Sequence, residues 1–181
     1  MKRLHLEMGG KNPNIIFADC DFDKALATTV QSSFSNQGQI CLCGSRIYVE
    51  DKIYEKFKTA FLAKIEKLNQ GDPTHPTTEQ GAVVSNLHFE KVLSCIERAK
   101  SEGAKVLIGG EQNILEGENR NGLFIKPTLL EGLNNSSLTI QEEIFGPVAM
   151  IAPFSSIDEV VEAANCTQYG LAGSIWSNDL D

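Results

Sequence analysis

Stretches with apolar residues at helical spacing take turns along this chain with short apolar runs of strand character. Phe22, Ala25, Leu26, Val30 and Phe34 recur at helical intervals after acids at Asp19, Asp21 and Asp23 that suit a helix start. Ile53, Phe57, Phe61, Ile65 and Leu68 share one face of a second helix opened by Asp51, and Gly71-Asp72-Pro73 stops it. Phe89, Val92, Leu93, Ile96 and Ala99 form the inward face of a third over 86–101, closed by Gly103. Ser156 and Glu159 have capping-box spacing and start a fourth that reaches Ala164.

Between these helices the apolar runs at 14–17, 45–49, 105–108, 123–130, 149–154 and 171–176 read as strands. Leu4, Leu6 and Met8 alternate with His5 and Glu7, which predicts a further short strand ending at Gly9-Gly10. Pro127 has no backbone N–H to give a ladder, so 123–130 is expected at a sheet edge or a bulge. The polar stretches 72–81 and 111–122 are loops. Strands alternating with helices predict an α/β fold, a mostly parallel sheet flanked by helices. At 181 residues the chain suits a single domain over 1–181.

Charge and cysteine content narrow the function. A formal net charge of −8 speaks against a nucleic-acid surface, which needs clustered Lys and Arg. No apolar run reaches the ~18–20 residues that cross a bilayer. Met1-Lys2-Arg3 is not followed by a signal-peptide core, so no membrane partner is expected and the expected location is cytoplasmic. The cysteines, Cys20, Cys41, Cys43, Cys95 and Cys166, are odd in number and scattered, which fits reduced thiols rather than a disulfide framework. Cys41-Leu42-Cys43 has no second Cys/His pair at zinc spacing, so no metal is expected. Gly9-Gly10-Lys11 is not a phosphate loop either, because His5 and Asn12 stand where that motif needs Gly and Ser or Thr.

The candidate chemistry centres on Ser35-Asn36-Gln37-Gly38-Gln39-Ile40-Cys41-Leu42-Cys43, which sets a cysteine just after a Gly-containing turn. Most single cysteines are small buried apolar residues. Cys41 differs in its company: Leu6-Glu7-Met8-Gly9-Gly10-Lys11 upstream and Glu142-Glu143-Ile144-Phe145-Gly146-Pro147 downstream. His5, His75 and His88 are all remote from Cys41 in sequence, which weakens a cysteine–histidine dyad. A lone Glu7 would ordinarily be a solvated acid, and Glu143 and Phe145 a surface acid and a core ring.

These three segments, in this order, resemble the aldehyde dehydrogenase superfamily. The resemblance covers nearly all of this chain but well under half of a complete family member. It implies that Cys41 is the catalytic nucleophile, forming a thiohemiacetal and then a thioester with an aldehyde substrate. Glu7 is implied as the general base that activates the hydrolytic water. Glu143 and Phe145 are implied to hold the ribose and support the ring of the nicotinamide, so the cofactor is NAD, with NADP open. It further implies a catalytic domain whose nucleotide-binding half and subunit-pairing segment lie outside this sequence, in a parent enzyme that is a homo-oligomer. Dehydrogenase turnover by the 181 residues alone is therefore not expected. Ser33 to Cys43, with Arg120-Asn121-Gly122 and Pro153-Phe154, looks most like the branch that oxidises 2-aminomuconate or 2-hydroxymuconate semialdehyde. A non-catalytic interaction module and a cofactor-independent thiol esterase remain as alternatives.

Overall fold

The computed structural model describes residues 2–179. Strands β1 (Pro13–Ile16), β2 (Arg46–Glu50), β3 (Lys105–Ile108), β4 (Thr128–Glu131), β5 (Val148–Phe154) and β6 (Ser174–Trp176) form one sheet in the order β3-β4-β5-β2-β1-β6. All neighbours run parallel except β3 against β4. The helices are α1 (Phe22–Phe34), α2 (Tyr54–Ile65), α3 (Asn86–Ser101), α4 (Leu138–Gln141) and α5 (Ile157–Ala164).

Strand alternation divides the core between the two faces of the sheet. Ile16, Ile47, Val49, Leu129, Ala149 and Ile151 pack with Leu26, Phe34, Phe57 and Phe61, so α1 and α2 cover that face. Their neighbours in sequence point the other way. Leu130, Val148 and Met150 meet Val92, Ile96 and Ala99 of α3, while Ile15, Tyr48 and Phe154 meet Val160 and Ala163 of α5. The result is the α/β fold expected, a mostly parallel sheet flanked by helices.

The helix starts follow the caps in the sequence. Asp21, Ser85 and Ser156 each accept a backbone N–H in the first turn of α1, α3 and α5. One expectation fails and two are narrowed. Residues 4–8 form no strand: Leu4, Leu6 and Met8 are all exposed, with no neighbouring strand to hydrogen-bond and no layer to bury their apolar side among the described residues. Alternation states which side a strand would bury, and it forms a strand only where a partner exists. The 123–130 run pairs only from Thr128 onward, apart from an isolated bridge between Gln112 and Ile125. Pro127 thus precedes an interior strand rather than lying on an edge, and an irregularity of the kind the other alternative foresaw lies nearby, between Val106 and Ile108 of β3 where they pair with Leu130 and Leu129. The last strand is confined to Ser174–Trp176.

The short α4 has no side-chain cap of its own. The Glu102 carboxylate, just past the end of α3, accepts the N–H groups of Leu138 and Thr139 instead. Such a cap, supplied from a distant part of the chain, is invisible to local sequence pattern. Among the described residues no helix is long and apolar enough to cross a membrane.

Candidate functional site

The loop carrying Cys41 leaves α1 through a left-handed run. Asn36, Gln37 and Gly38 have φ of 49°, 56° and 71°. Non-glycine residues in this region carry about 1–3 kcal/mol of strain each and persist only where their surroundings over-determine them. Gly38 cannot be replaced in this geometry, because a Cβ there would stand 2.0 Å from the Gly146 carbonyl oxygen. The Gln39 N–H donates to the Asn36 carbonyl (2.9 Å) and the Cys43 N–H to the Ile40 carbonyl (3.0 Å), closing two successive turns around Cys41. From behind, the buried Asn12 amide donates to the carbonyls of Cys41 (2.8 Å) and Cys43 (3.0 Å) and accepts the Ala172 N–H (3.1 Å). Cys41 is half-buried, while burial pushes the Cys43 thiol up, which fits Cys43 as a protonated structural neighbour.

The three sequence motifs meet at Gly9-Gly10. The Gly10 N–H donates to Glu143 Oε1 at 2.9 Å, across 133 positions of sequence. A Cβ on Gly10 would lie 2.4 Å from the Cys41 carbonyl oxygen, and one on Gly9 would lie 2.8 Å from Glu143 Oε2. Gly10 is needed for close approach to backbone rather than for backbone freedom, and at Gly9 the crowding neighbour is the end of the Glu143 side chain. The adjacent acids separate cleanly. Glu142 is exposed and pairs with Arg98 at 2.7 Å, whereas Glu143 turns inward to the glycines. Phe145 has a left-handed φ of 60°, and its carbonyl is bonded by His88 Nε2 at 2.5 Å with the two rings edge to face. His88 therefore serves the Phe145 loop. A small cleft is lined by Gly10, Lys11, Cys43, Glu143, Phe145 and Gly146, and Cys41 does not line it.

Glu7 is placed differently. Its apolar neighbours Leu6 and Met8 are 72% and 56% exposed, and Glu7 itself is exposed. Among the described residues it has no hydrogen-bond or ion-pair partner. Its segment is gathered to the site only from Gly9 onward.

Sequence reasoning passed over Lys11 and Asn12, both buried beside the cysteine loop. Polar residues directly before the apolar strand β1 were the available signal. Burial, reinforced by the Arg46 guanidinium, lowers the Lys11 ammonium to about 7. Arg46 is itself buried and donates to the carbonyls of Lys11 (2.7 Å), Ala163 (2.8 Å) and Ala164 (2.8 Å). It ties β2 to the C-terminal end of α5, where a cation suits the helix dipole. It is thereby committed to structure and unavailable to a substrate carboxylate. Arg120, on the exposed turn Gly117–Asn121, is solvent-facing.

The residues fit the nicotinamide end of a dinucleotide. Oε1 of Glu143 is held by the Gly10 N–H, which leaves Oε2 as an acceptor of the kind that can hold ribose hydroxyls, and Phe145 presents a half-buried aromatic ring next to it in sequence.

A family model described as "Aldehyde dehydrogenase family" matches residues 1–181. The chain is 46% identical to 2-aminomuconic semialdehyde dehydrogenase of Danio rerio over 181 residues, covering 99% of this chain and 37% of that protein. It is 43% identical to retinal dehydrogenase 2 of Gallus gallus, covering 100% and 34%. A crystal structure of betaine aldehyde dehydrogenase from Staphylococcus aureus in complex with NAD+ superposes with a TM-score of 0.92 at 38% identity, over 96% of this chain and 34% of that one. The chain thus spans little more than a third of the length of the relatives it matches.

Proposed function

Because this chain belongs to the aldehyde dehydrogenase family, we propose that it is the catalytic domain of a longer NAD(P)-dependent enzyme that oxidises an aldehyde to the carboxylic acid. Residues 1–181 then carry the nucleophile and the nicotinamide-side residues, and the rest of the enzyme carries most of the dinucleotide pocket and the surface for subunit pairing. The observation that carries the reading is the meeting of the Cys41 loop, Glu143 and the Gly9-Gly10 segment at one point.

Cys41 is assigned as nucleophile. Its thiolate adds to the aldehyde carbon, a C–S bond forms, and the carbonyl electron pair moves onto oxygen. The Cys41 backbone N–H is one donor to that oxyanion. NAD(P)+ held by Glu143 and Phe145 would supply the hydride acceptor. The acyl group then sits as a thioester on Cys41, and Glu7 takes a proton from the water that attacks it. Cleavage of the C–S bond returns the thiolate and releases the acid. For Glu7 to act, the exposed segment around Leu4, Leu6 and Met8 must fold against the part of the enzyme that precedes it.

Within the family, a muconic semialdehyde is the substrate we favour. The support is the 46% and 42% identity to 2-aminomuconic semialdehyde dehydrogenases of Danio rerio and a Pseudomonas species. The test expresses the full reading frame and follows NAD(P)H formation with 2-hydroxymuconate semialdehyde and with betaine aldehyde. Turnover should vanish in Cys41→Ala. Undiminished oxidation in that variant overturns the assignment, and a preference for betaine aldehyde overturns the substrate.

A further inference from the structure

Two side chains of the left-handed run before Cys41 brace it: the Asn36 amide donates to the Gln39 carbonyl at 3.1 Å within the loop, and Gln37 reaches out of it. Gln37 makes a two-sided amide clamp on the segment that precedes α3: Oε1 accepts the Gly81 N–H at 3.1 Å and Nε2 donates to the Ala82 carbonyl at 3.1 Å. Gln39 adds a third bond to the same segment, accepting the Val84 N–H at 3.1 Å. Gln80, buried, donates to the Phe34 carbonyl at the end of α1. The connection at 80–84 therefore grips the nucleophile loop at Phe34, Gln37 and Gln39, and Cys41 is the second residue beyond that grip.

We propose that Gln37 is a positioning residue for Cys41: its amide clamp on Gly81 and Ala82 holds the left-handed turn that sets the thiol. The proposal rests on the nucleophile reading above. The physical reasoning starts from the backbone. Asn36 and Gln37 both occupy a region that side-chain-bearing residues disfavour, so the turn relaxes toward right-handed values unless something opposes it. Gly38 cannot oppose it, since glycine tolerates either hand. A bidentate amide with one donor and one acceptor bond fixes both the position and the rotation of residue 37. Asn12 holds the carbonyls of Cys41 and Cys43 from the opposite side. Without the clamp the loop keeps Asn12 behind it and the Gln80 and Gln39 bonds at its flanks, but nothing from the 80–84 connection holds residue 37 itself, so the strained turn relaxes and carries the thiol with it.

The substitution that isolates the clamp is Gln37→Met, which keeps length and Cβ strain but has no amide. Gln37→Gly removes both clamp and strain, because glycine accepts a φ of 56°. The measurement is site-resolved alkylation of the 181-residue chain with limiting iodoacetamide, read by peptide mass spectrometry, with buried Cys95 as an internal reporter of unfolding. Gln37→Met should slow Cys41 by about 10-fold or more while Cys95 stays protected, and Gln37→Gly should recover much of that loss. In the full reading frame the same variant should lower kcat and leave the aldehyde KM within about twofold, as a positioning defect does.

A purely structural role predicts something else: Cys95 and Cys41 both react faster, because the fold loosens. That result overturns the proposal, as does a Gln37→Met chain whose Cys41 reacts at the wild-type rate. If wild-type Cys41 reacts first and Gln37→Met is equally fast, the Gln37 assignment falls and the nucleophile reading stands. If Cys41→Ala retains full aldehyde oxidation, both fall. Should Gln37→Met fail to fold, Gln37→Glu keeps the Gly81 bond and sets a carboxylate against the Ala82 carbonyl. It should give an intermediate slowing of Cys41, and wild-type reactivity there equally overturns the proposal.

Discussion

Replacing Gly10 by alanine tests whether the motifs meet as described. The added methyl would stand 2.4 Å from the Cys41 carbonyl oxygen and 2.9 Å from both Nδ2 and Oδ1 of Asn12. An ordinary C···O contact is about 3.3–3.6 Å, so the two backbones must part by roughly 1 Å. Neither partner can rotate away. The oxygen is backbone, and the Asn12 amide is committed to Cys41, Cys43 and Ala172. Overpacking of this kind costs about 1–3 kcal/mol. Parting the backbones also stretches the Gly10 N–H bond to Glu143, a charge-assisted bond worth about 1.5–3 kcal/mol when buried and less here, because Glu143 is partly solvated. A total of about 2–4 kcal/mol lowers the melting temperature of a chain this size by roughly 5–15 °C. Gly10 lies outside the left-handed region, so the effect is steric alone. The control is Gly170→Ala, where a methyl meets nothing within 4 Å. It should shift the melt by less than about 2 °C. Thermal unfolding followed by circular dichroism decides the matter: a Gly10→Ala chain that melts with wild type refutes the close approach of the Gly9-Gly10 and Cys41 segments.

Gly103 offers the converse case, a φ of 97° with nothing within 4 Å of a new Cβ; Gly103→Ala should cost about 1–2 kcal/mol from backbone strain alone, measured as a drop in the urea midpoint without change in slope. Lys11 should impose a pH dependence on stability. Its ammonium is lowered from 10.5 to about 7, so between those values the unfolded chain carries a proton that the folded chain lacks. Stability therefore rises with pH across that window, by up to about 1.4 kcal/mol per unit, and the penalty is fully present below the folded value. Urea midpoints at several pH values should climb from neutral upward in wild type and climb less in Lys11→Met; equal slopes would sink the assignment. The two adjacent acids should behave oppositely in the full reading frame: Glu143→Gln raises the KM for the dinucleotide about 10-fold or more, and Glu142→Gln, which breaks only an exposed pair with Arg98, leaves it unchanged.

Sequence alone carried the longer helices and their alternation with strands well, because both are local patterns. The 86–101 periodicity and the Ser85, Asp21 and Ser156 caps set helix starts through contacts within one turn. It also marked Cys41, Glu143 and Phe145 as candidates, through the order of three motifs rather than through any one of them. What it could not supply was partnership. Residues 4–8 alternate like a strand yet have none to pair with, and α4 forms under a carboxylate from a distant loop. Pro127 looked like an edge marker and stands just ahead of an interior strand. The resemblance named Glu143, and the tertiary structure adds that Glu143 accepts the Gly10 N–H while its neighbour Glu142 turns outward to Arg98. Only the tertiary structure brought forward Lys11, Asn12 and Gln37. Polar residues are unremarkable in a sequence until folding removes their water and gives them a particular backbone group to hold.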